Sequence, residues 1–311
     1  RKDFGAIQDN LKQTGRRMSM SLTAPLALLG AQAFKTFAKF EGSMAKVQAV
    51  TGATAAEFSQ LTENAKKLGK STRFSATEVA GLQLEFGKLG FSAAEITKVT
   101  QSTLALAQAT GSDLARAAEV AGATLRGFGL EADETGRVTD VMAMSFSSSA
   151  LDMESFAESM KHVAPLAKAA GVSIEEASAM LSSMADAGIK GSLAGTALKR
   201  ILLEMEGGSG TLAEKIAALS MQEMNLADAS SEVGDRAAAA LIVLKDSVKQ
   251  TSDLTKSYQG AAGSAQEMAD IMDDTAEGAM FKMTSALEGM MIVIGESLAP
   301  MIVTFSEYVA D

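Results

Sequence analysis

Gly90-Phe91-Ser92-Ala93-Ala94-Glu95 closes one helix and opens the next with almost no chain between. A glycine takes the left-handed backbone that ends a helix. Ser92 can then accept the backbone N–H of Glu95, and the Glu95 carboxylate can accept the N–H of Ser92. Gly171-Val172-Ser173-Ile174-Glu175-Glu176 repeats the arrangement. The same spacing of serine or threonine to glutamate stands at Thr54…Glu57, Ser75…Glu78, Thr211…Glu214 and Ser264…Glu267. Phe74 with Val79 and Phe91 with Ile96 sit where hydrophobic staples would flank two of these caps, and Gly69 and Gly111 mark further stops. A chain punctuated in this way is all-α.

Working outward, apolar residues between the marks recur at helical spacing. Val79, Leu82, Phe86 and Leu89 form one stripe; Ile96, Val99, Leu104 and Leu106 suggest a broader buried face. No stretch alternates as a strand would. The spacing predicts helices near 55–68, 76–89, 93–109, 113–126, 134–148, 153–170, 174–187 and 192–206. Joins this short fold consecutive helices back on one another, so the fold class is all-α, a multi-helix bundle of short capped helices with no β-sheet.

Longer helices flank that bundle. Residues 1–52 read as a basic helical arm, broken or kinked at Thr23-Ala24-Pro25. Residues 53–206 are the bundle, and Glu206-Gly207-Gly208-Ser209-Gly210 is the expected boundary. Beyond it, 211–311 forms an acidic helical region with helices near 212–219, 232–257 and 265–309, the last broken near Gly295 or Pro300. Because the chain begins with Arg1 it is expected to be a piece of a longer or processed protein.

Composition removes most chemistry. The 311 residues contain no cysteine and one histidine, so disulfides, thiolate zinc sites and two-histidine metal sites are excluded. Net charge is −10, yet residues 1–40 carry seven basic side chains against Asp3 and Asp9 and stand at +5. Nucleic-acid binding needs a broad basic face, and the body of the chain has none, so no specific nucleic-acid partner is expected. Gly69-Lys70-Ser71-Thr72 imitates the end of a phosphate-binding loop, but Asn64 replaces the required earlier glycine and a helix precedes it. Gly127-Phe128-Gly129 lacks the third glycine of a dinucleotide fingerprint. His162 has no partner in local sequence, and the pairs Glu175-Glu176 and Asp273-Asp274 read as first-turn charges and solvated faces. No catalytic residue, cofactor or metal site is expected, and the chain reads as no enzyme.

Three features remain. Methionine occurs 19 times, with Met268, Met272, Met280, Met283, Met290, Met291 and Met301 close together. Ordinary helical core is the favoured reading, and a surface able to pack in more than one way is the other. The run 289–306 approaches a bilayer span but holds Glu296 and Pro300, so a buried, kinked helix is favoured over a membrane span. Within it Met290, Ile292, Val293, Ile294 and Pro300 are the candidate contacts with a membrane or a partner. Last, Ala187-Gly188-Ile189-Lys190-Gly191-Ser192-Leu193-Ala194-Gly195-Thr196 carries no reactive group. Gly188 should end one helix, and Gly191 and Gly195 should let a neighbouring backbone approach. Gly188, Gly191, Gly195 and Thr196 are therefore the candidate packing motif.

That last segment resembles the core region of tailed-bacteriophage tape measure proteins of the lactococcal-phage type. Thr23-Ala24-Pro25-Leu26 with Phe40-Glu41, Met44 and Val47 is similar to the family's entry to the core. Ala65-Lys66-Lys67-Leu68-Gly69, Thr72-Arg73-Phe74-Ser75-Ala76, Val138-Thr139-Asp140-Val141 and Ile294-Gly295-Glu296-Ser297-Leu298-Ala299-Pro300 resemble further blocks in family order. The resemblance implies a structural protein of the virion that occupies the tail lumen, nucleates tube assembly, sets tail length and leaves ahead of the genome. Its implied partners are the tail tube protein, baseplate or tail-tip proteins, tail assembly chaperones and further copies of itself, three being favoured. Assembly would take place in the host cytoplasm, with membrane contact during ejection; a membrane-active role in genome passage is the alternative. The peptidoglycan-cleaving domain of some members has no counterpart here. One continuous helix of this length would span roughly 470 Å, which the glycine punctuation forbids. The expectation is an anchoring or initiating piece, compact when free, with the main ruler beyond Asp311.

Overall fold

Each short helix starts where a side chain takes up the free N–H groups of its first turn, and a computed structural model describes the result for residues 28–205 and 211–310. The helices are α1 (28–51), α2 (Ala55–Ser71), α3 (Ala76–Lys88), α4 (Ala93–Thr110) and α5 (Leu114–Phe128). After a single 3-10 turn come α6 (Thr135–Ser148), α7 (Met153–Ala169), α8 (Ile174–Asp186) and α9 (Gly191–Glu204). The chain continues with α10 (Leu212–Ser220), α11 (Leu226–Val233), α12 (Asp235–Asp246), α13 (Val248–Gln259), α14 (Ser264–Asp273) and α15 (Ala276–Ala310). No strand occurs among the described residues. The Thr23-Ala24-Pro25 break lies outside them.

Complete capping boxes form at Thr54/Glu57, Ser75/Glu78, Ser92/Glu95, Ser173/Glu176 and Thr211/Glu214. Hydrogen bonds from the Thr54 side chain and the Ser92 backbone, respectively, hold the Glu57 and Glu95 carboxyls below the usual range. Gly90, Gly111 and Gly171 have φ of +80°, +65° and +68°, the left-handed stop a side chain would oppose.

Two glycine and serine expectations are corrected. Gly69 is no stop: α2 runs on to Ser71, and a Cβ on Gly69 would come within 2.5 Å of the Ala76 backbone nitrogen. It is a point of close approach, where α3 begins against α2. Ser264 is no N-cap either; it is the first residue of α14, and Gly263 precedes it at φ +85°. Asp140, on distant α6, takes the cap role, its carboxylate accepting from the N–H groups of Gly263 (2.7 Å) and Ala265 (3.0 Å).

The helix expected at 232–257 is divided. Gly234, at φ +79°, separates α11 from α12, and Ser247 separates α12 from α13. The helix expected at 265–309 breaks at Asp274-Thr275, then runs without interruption through Gly295 and Pro300.

One apolar core joins these elements, from Phe40, Met44 and Val47 on α1 through α2–α9 to Ala237, Leu241 and Leu244 on α12 and Ala265 on α14. Phe86 and Phe91 meet edge to face with centroids 5.3 Å apart, as do Phe146 and Phe156 at 5.5 Å. Val79, Leu82, Phe86, Ile96, Val99, Leu104 and Leu106 are buried as predicted, whereas Leu89 ends α3 on the surface. Helices on both sides of 206–210 share this core: α12 packs on α8 and α9, α13 on α8, and α14 on α4 and α6.

Polar contacts fix the later helices. Glu175 is buried and forms a two-point pair with Arg137, at 2.6 and 2.8 Å, which corrects its reading as a solvated charge. Burial pushes the Glu175 carboxyl up, but the Arg137 hydrogen bonds and a backbone N–H outweigh it and leave the pKa lowered. Hydrogen bonds to Glu175 and then Glu134 raise that of Arg137. Tyr258 is buried with its hydroxyl between Ser182 (2.9 Å) and Ser148 (3.1 Å), and burial pushes its pKa up.

Candidate interaction surface on the last helix

The helix α15 lies along α1 and α2 and turns only a narrow side to them. The buried residues of that side are small, with Ile292 the exception. A Cβ on Gly295 would collide with the Ala33 carbonyl oxygen and the Phe37 side chain of α1, so glycine here permits backbone-level packing. The Ser285 hydroxyl donates to the Arg73 carbonyl at 2.6 Å, and the Thr77 N–H donates to the Glu288 carboxylate at 3.1 Å. Lys66 pairs with Glu296 at 2.9 Å, and the Arg73 guanidinium lies 4.1 Å from the Phe281 ring centre. The Pro300 ring removes one N–H from the helix, and the helix continues past it.

Among the described residues, nothing covers the opposite side. Met280, Met283, Leu287, Met290, Ile294 and Met301 are all exposed, Met290 to 56% and Ile294 to 46%. This corrects the core reading of the methionine cluster, since only Met268 and Met291 in it are partly covered. Among the candidate contacts, Met290, Val293, Ile294 and Pro300 face outward, whereas Ile292 is 1% exposed and packs inward. Residues Ala276–Thr304 are long and apolar enough to cross a membrane, by length and composition.

The glycine motif lies elsewhere. Gly188 ends α8 at φ +84°, and Gly191 opens α9 at φ +59°. A Cβ on Gly195 would fall 2.6 Å from the Ser159 carbonyl oxygen, so α9 and α7 touch through their backbones. The Ser159 hydroxyl also donates to the Gly191 carbonyl at 2.8 Å. Thr196 takes no part; it is exposed and bonds the Ser192 carbonyl one turn back. His162 is half-buried, 3.4 Å from the Ser192 hydroxyl, and no carboxylate among the described residues is hydrogen-bonded to it. No group of three or more potential metal ligands occurs among the described residues.

The sequence profile of the phage-related minor tail protein family matches residues 62–292. The chain belongs to that family. It is 32% identical to the tape measure protein of Pneumococcus phage Dp-1 across 94% of its own length, and 27% identical to a probable tape measure protein of Escherichia phage P2 across 81%. It spans about a third of those relatives, 28% of the first and 35% of the second. No solved structure matches it. The resemblance drawn from its glycine and capping blocks holds.

Sequence reasoning missed three things in this family core. Asp140 stands in sequence only as part of a family block, and nothing in its local sequence marks it as the cap of α14. Glu175 reads as a surface charge in sequence because its partner lies 38 residues away. The exposure of α15 could be found only once its neighbours were placed.

Proposed function

We propose that the chain is the folded anchor of a tape measure protein. In this reading the protein occupies the tail lumen, gives tube subunits a core on which to start polymerising, sets tail length and leaves before the genome at infection. Its partners are the tail tube protein, the baseplate or tail-tip proteins, assembly chaperones in the host cytoplasm and copies of itself. The family match across residues 62–292, with tape measure proteins as relatives, carries the reading.

The fold refines it. A ruler counts residues only where each one adds about 1.5 Å along the tube axis, as in a continuous helix. Helices α2–α14 fold back on one another around a shared core, so adding chain here does not add length. Length is then counted by other parts of the tape, and this block fixes one end of it.

Insertion tests this better than deletion, because α12 and α13 pack on α8 and α9. Twenty-eight helical residues placed between Ser209 and Gly210, in the phage that encodes the chain, would add about 42 Å if the block lay extended. Tails of unchanged length are expected by electron microscopy. Lengthening by that amount would refute the anchor. Removing residues 28–310 should abolish tails of defined length; regular tails without them would refute the tail-length role.

A second reading, a membrane-active helix aiding genome passage, rests on the length and exposure of α15. It predicts leakage of phospholipid vesicles that Val293→Asp abolishes. Ile292 is unsuitable for that test because it packs inward.

A further inference from the structure

Polar contacts do most of the work of holding α15 to the block. Among its described residues, Gly278, Ser285, Gly289, Ile292 and Gly295 are buried, and Ile292 is the one large apolar side chain it contributes to the shared core. The shorter α4 buries Ile96, Val99, Leu104 and Leu106. What else attaches α15 is the Ser285 bond to the Arg73 carbonyl, the Glu288 bond to the Thr77 N–H, and two ion pairs, Lys66 with Glu296 and Asp273 with Lys282 at 3.0 Å. Glu296 and Lys282 are half-exposed, so water and salt weaken both pairs.

The docked position also leaves polar groups unpaired. The Thr77 hydroxyl oxygen and the Oδ1 oxygen of Asp273 are buried without a hydrogen-bond partner. Both belong to residues that α15 engages, Thr77 through Glu288 and Asp273 through Lys282. Water satisfies such atoms once they are uncovered, so their penalty falls on the docked state. The neighbouring α14 is held firmly by contrast. The Gln108 side-chain amide donates to the Ala269 carbonyl at 2.6 Å, and Asp140 caps the first turn. Between this fixed helix and α15 lie Asp274 and Thr275 alone.

We infer that α15 is a strap, which swings off α1 and α2 as one helix about Asp274-Thr275 while the rest of the block stays folded. Its inner side loses one large apolar contact and four solvent-screened or replaceable polar ones, and two orphaned atoms gain water. The strap goes beyond the anchor reading and does not depend on it: the block can release its last helix without unfolding its core.

The chain has no cysteine, so an introduced thiol reports on one place. Ser285→Cys puts it beneath the strap, where the serine is 3% exposed; Ser178→Cys puts it in the interior on α8, where the serine is fully buried. Maleimide labelling of each folded variant, divided by its rate in denaturant, measures how often the site opens. The thiol at 285 should react at least about 100-fold more readily than that at 178, since local opening needs no global unfolding. Adding Phe156→Ala, which weakens the distant core, should speed labelling at 178 by over about 100-fold and leave 285 unchanged. Adding Thr77→Val, which replaces the orphaned hydroxyl with a methyl, should slow labelling at 285 by about tenfold. Equal labelling of the two sites, acceleration of both in step by Phe156→Ala, or no effect of Thr77→Val would each overturn the strap.

Hydrogen exchange on the unaltered chain gives a second readout, free of the introduced thiols. A detached helix frays in water, so α15 amides should exchange at least about 100-fold faster than the buried amides of α4. Their rates should also stay nearly flat in urea below the unfolding transition, because little surface is exposed. Exchange of α15 in step with α4 would overturn the strap as well. Both readouts are independent of tails, so their failure is distinct from failure of the length measurements.

Discussion

The helices α7 and α15 are built from similar material and end in opposite circumstances. Both contain methionines and an internal proline, Pro165 in one and Pro300 in the other. Yet α7 buries Met153, Phe156, Met160 and Val163 among its neighbours. In α15 it is the small residues that face inward, Gly278, Ser285, Gly289 and Gly295, with Ile292 the only large apolar side chain fully covered among the described residues. Its large side chains are left in water. A helix that spends its glycines on the core keeps its hydrophobic area for something else.

The contrast can be broken by matched truncations. Phe156→Ala should cost about 3–5 kcal/mol in denaturant unfolding, the loss expected for an aromatic ring removed from a packed interior. Leu287→Ala should cost under about 0.5 kcal/mol. Equal losses would mean that α15 is part of the core after all.

The glycine contacts sharpen it next. Gly195→Val drives two methyl groups into the Ser159 backbone and should destabilise by about 1–3 kcal/mol. The same change at Gly42, with open space around its Cβ position, should cost far less in the same unfolding measurement.

Asp140→Ala removes the cap that α6 supplies to α14 and should cost about 1 kcal/mol. Hydrogen exchange should show amides of the first turn of α14 opening faster while those of α4 stay protected.

The smallest effect concerns acid. The folded Glu175 carboxyl has a lowered pKa, so its stabilisation is complete above the unfolded carboxyl range and is lost as pH falls through the folded value. Arg137→Met should raise the acid midpoint of unfolding; an unchanged midpoint would mean that the pair contributes nothing to folding.

Much of this architecture could be read from residues alone where the governing contacts were local. Thr54, Ser75, Ser92, Ser173 and Thr211 mark helix starts because each capping partner is three residues away. Ser264 misleads because α14 is capped from α6, at a separation of more than a hundred residues. Gly69 misleads because a glycine that ends a helix and one that admits a neighbouring backbone look alike in sequence; φ and the position of Ala76 distinguish them. On α15 a three-four alternation is present in the sequence, but two faces of that helix repeat every seven residues. Only the positions of α1 and α2 show which is taken.

The central claim is that this part of a tail protein is a folded block and not a length of extended ruler. X-ray scattering on the purified chain at high dilution tests it directly. A folded chain of this size should give a radius of gyration of roughly 20–30 Å. A value above about 100 Å, as for a single helix of roughly 470 Å, would contradict the account.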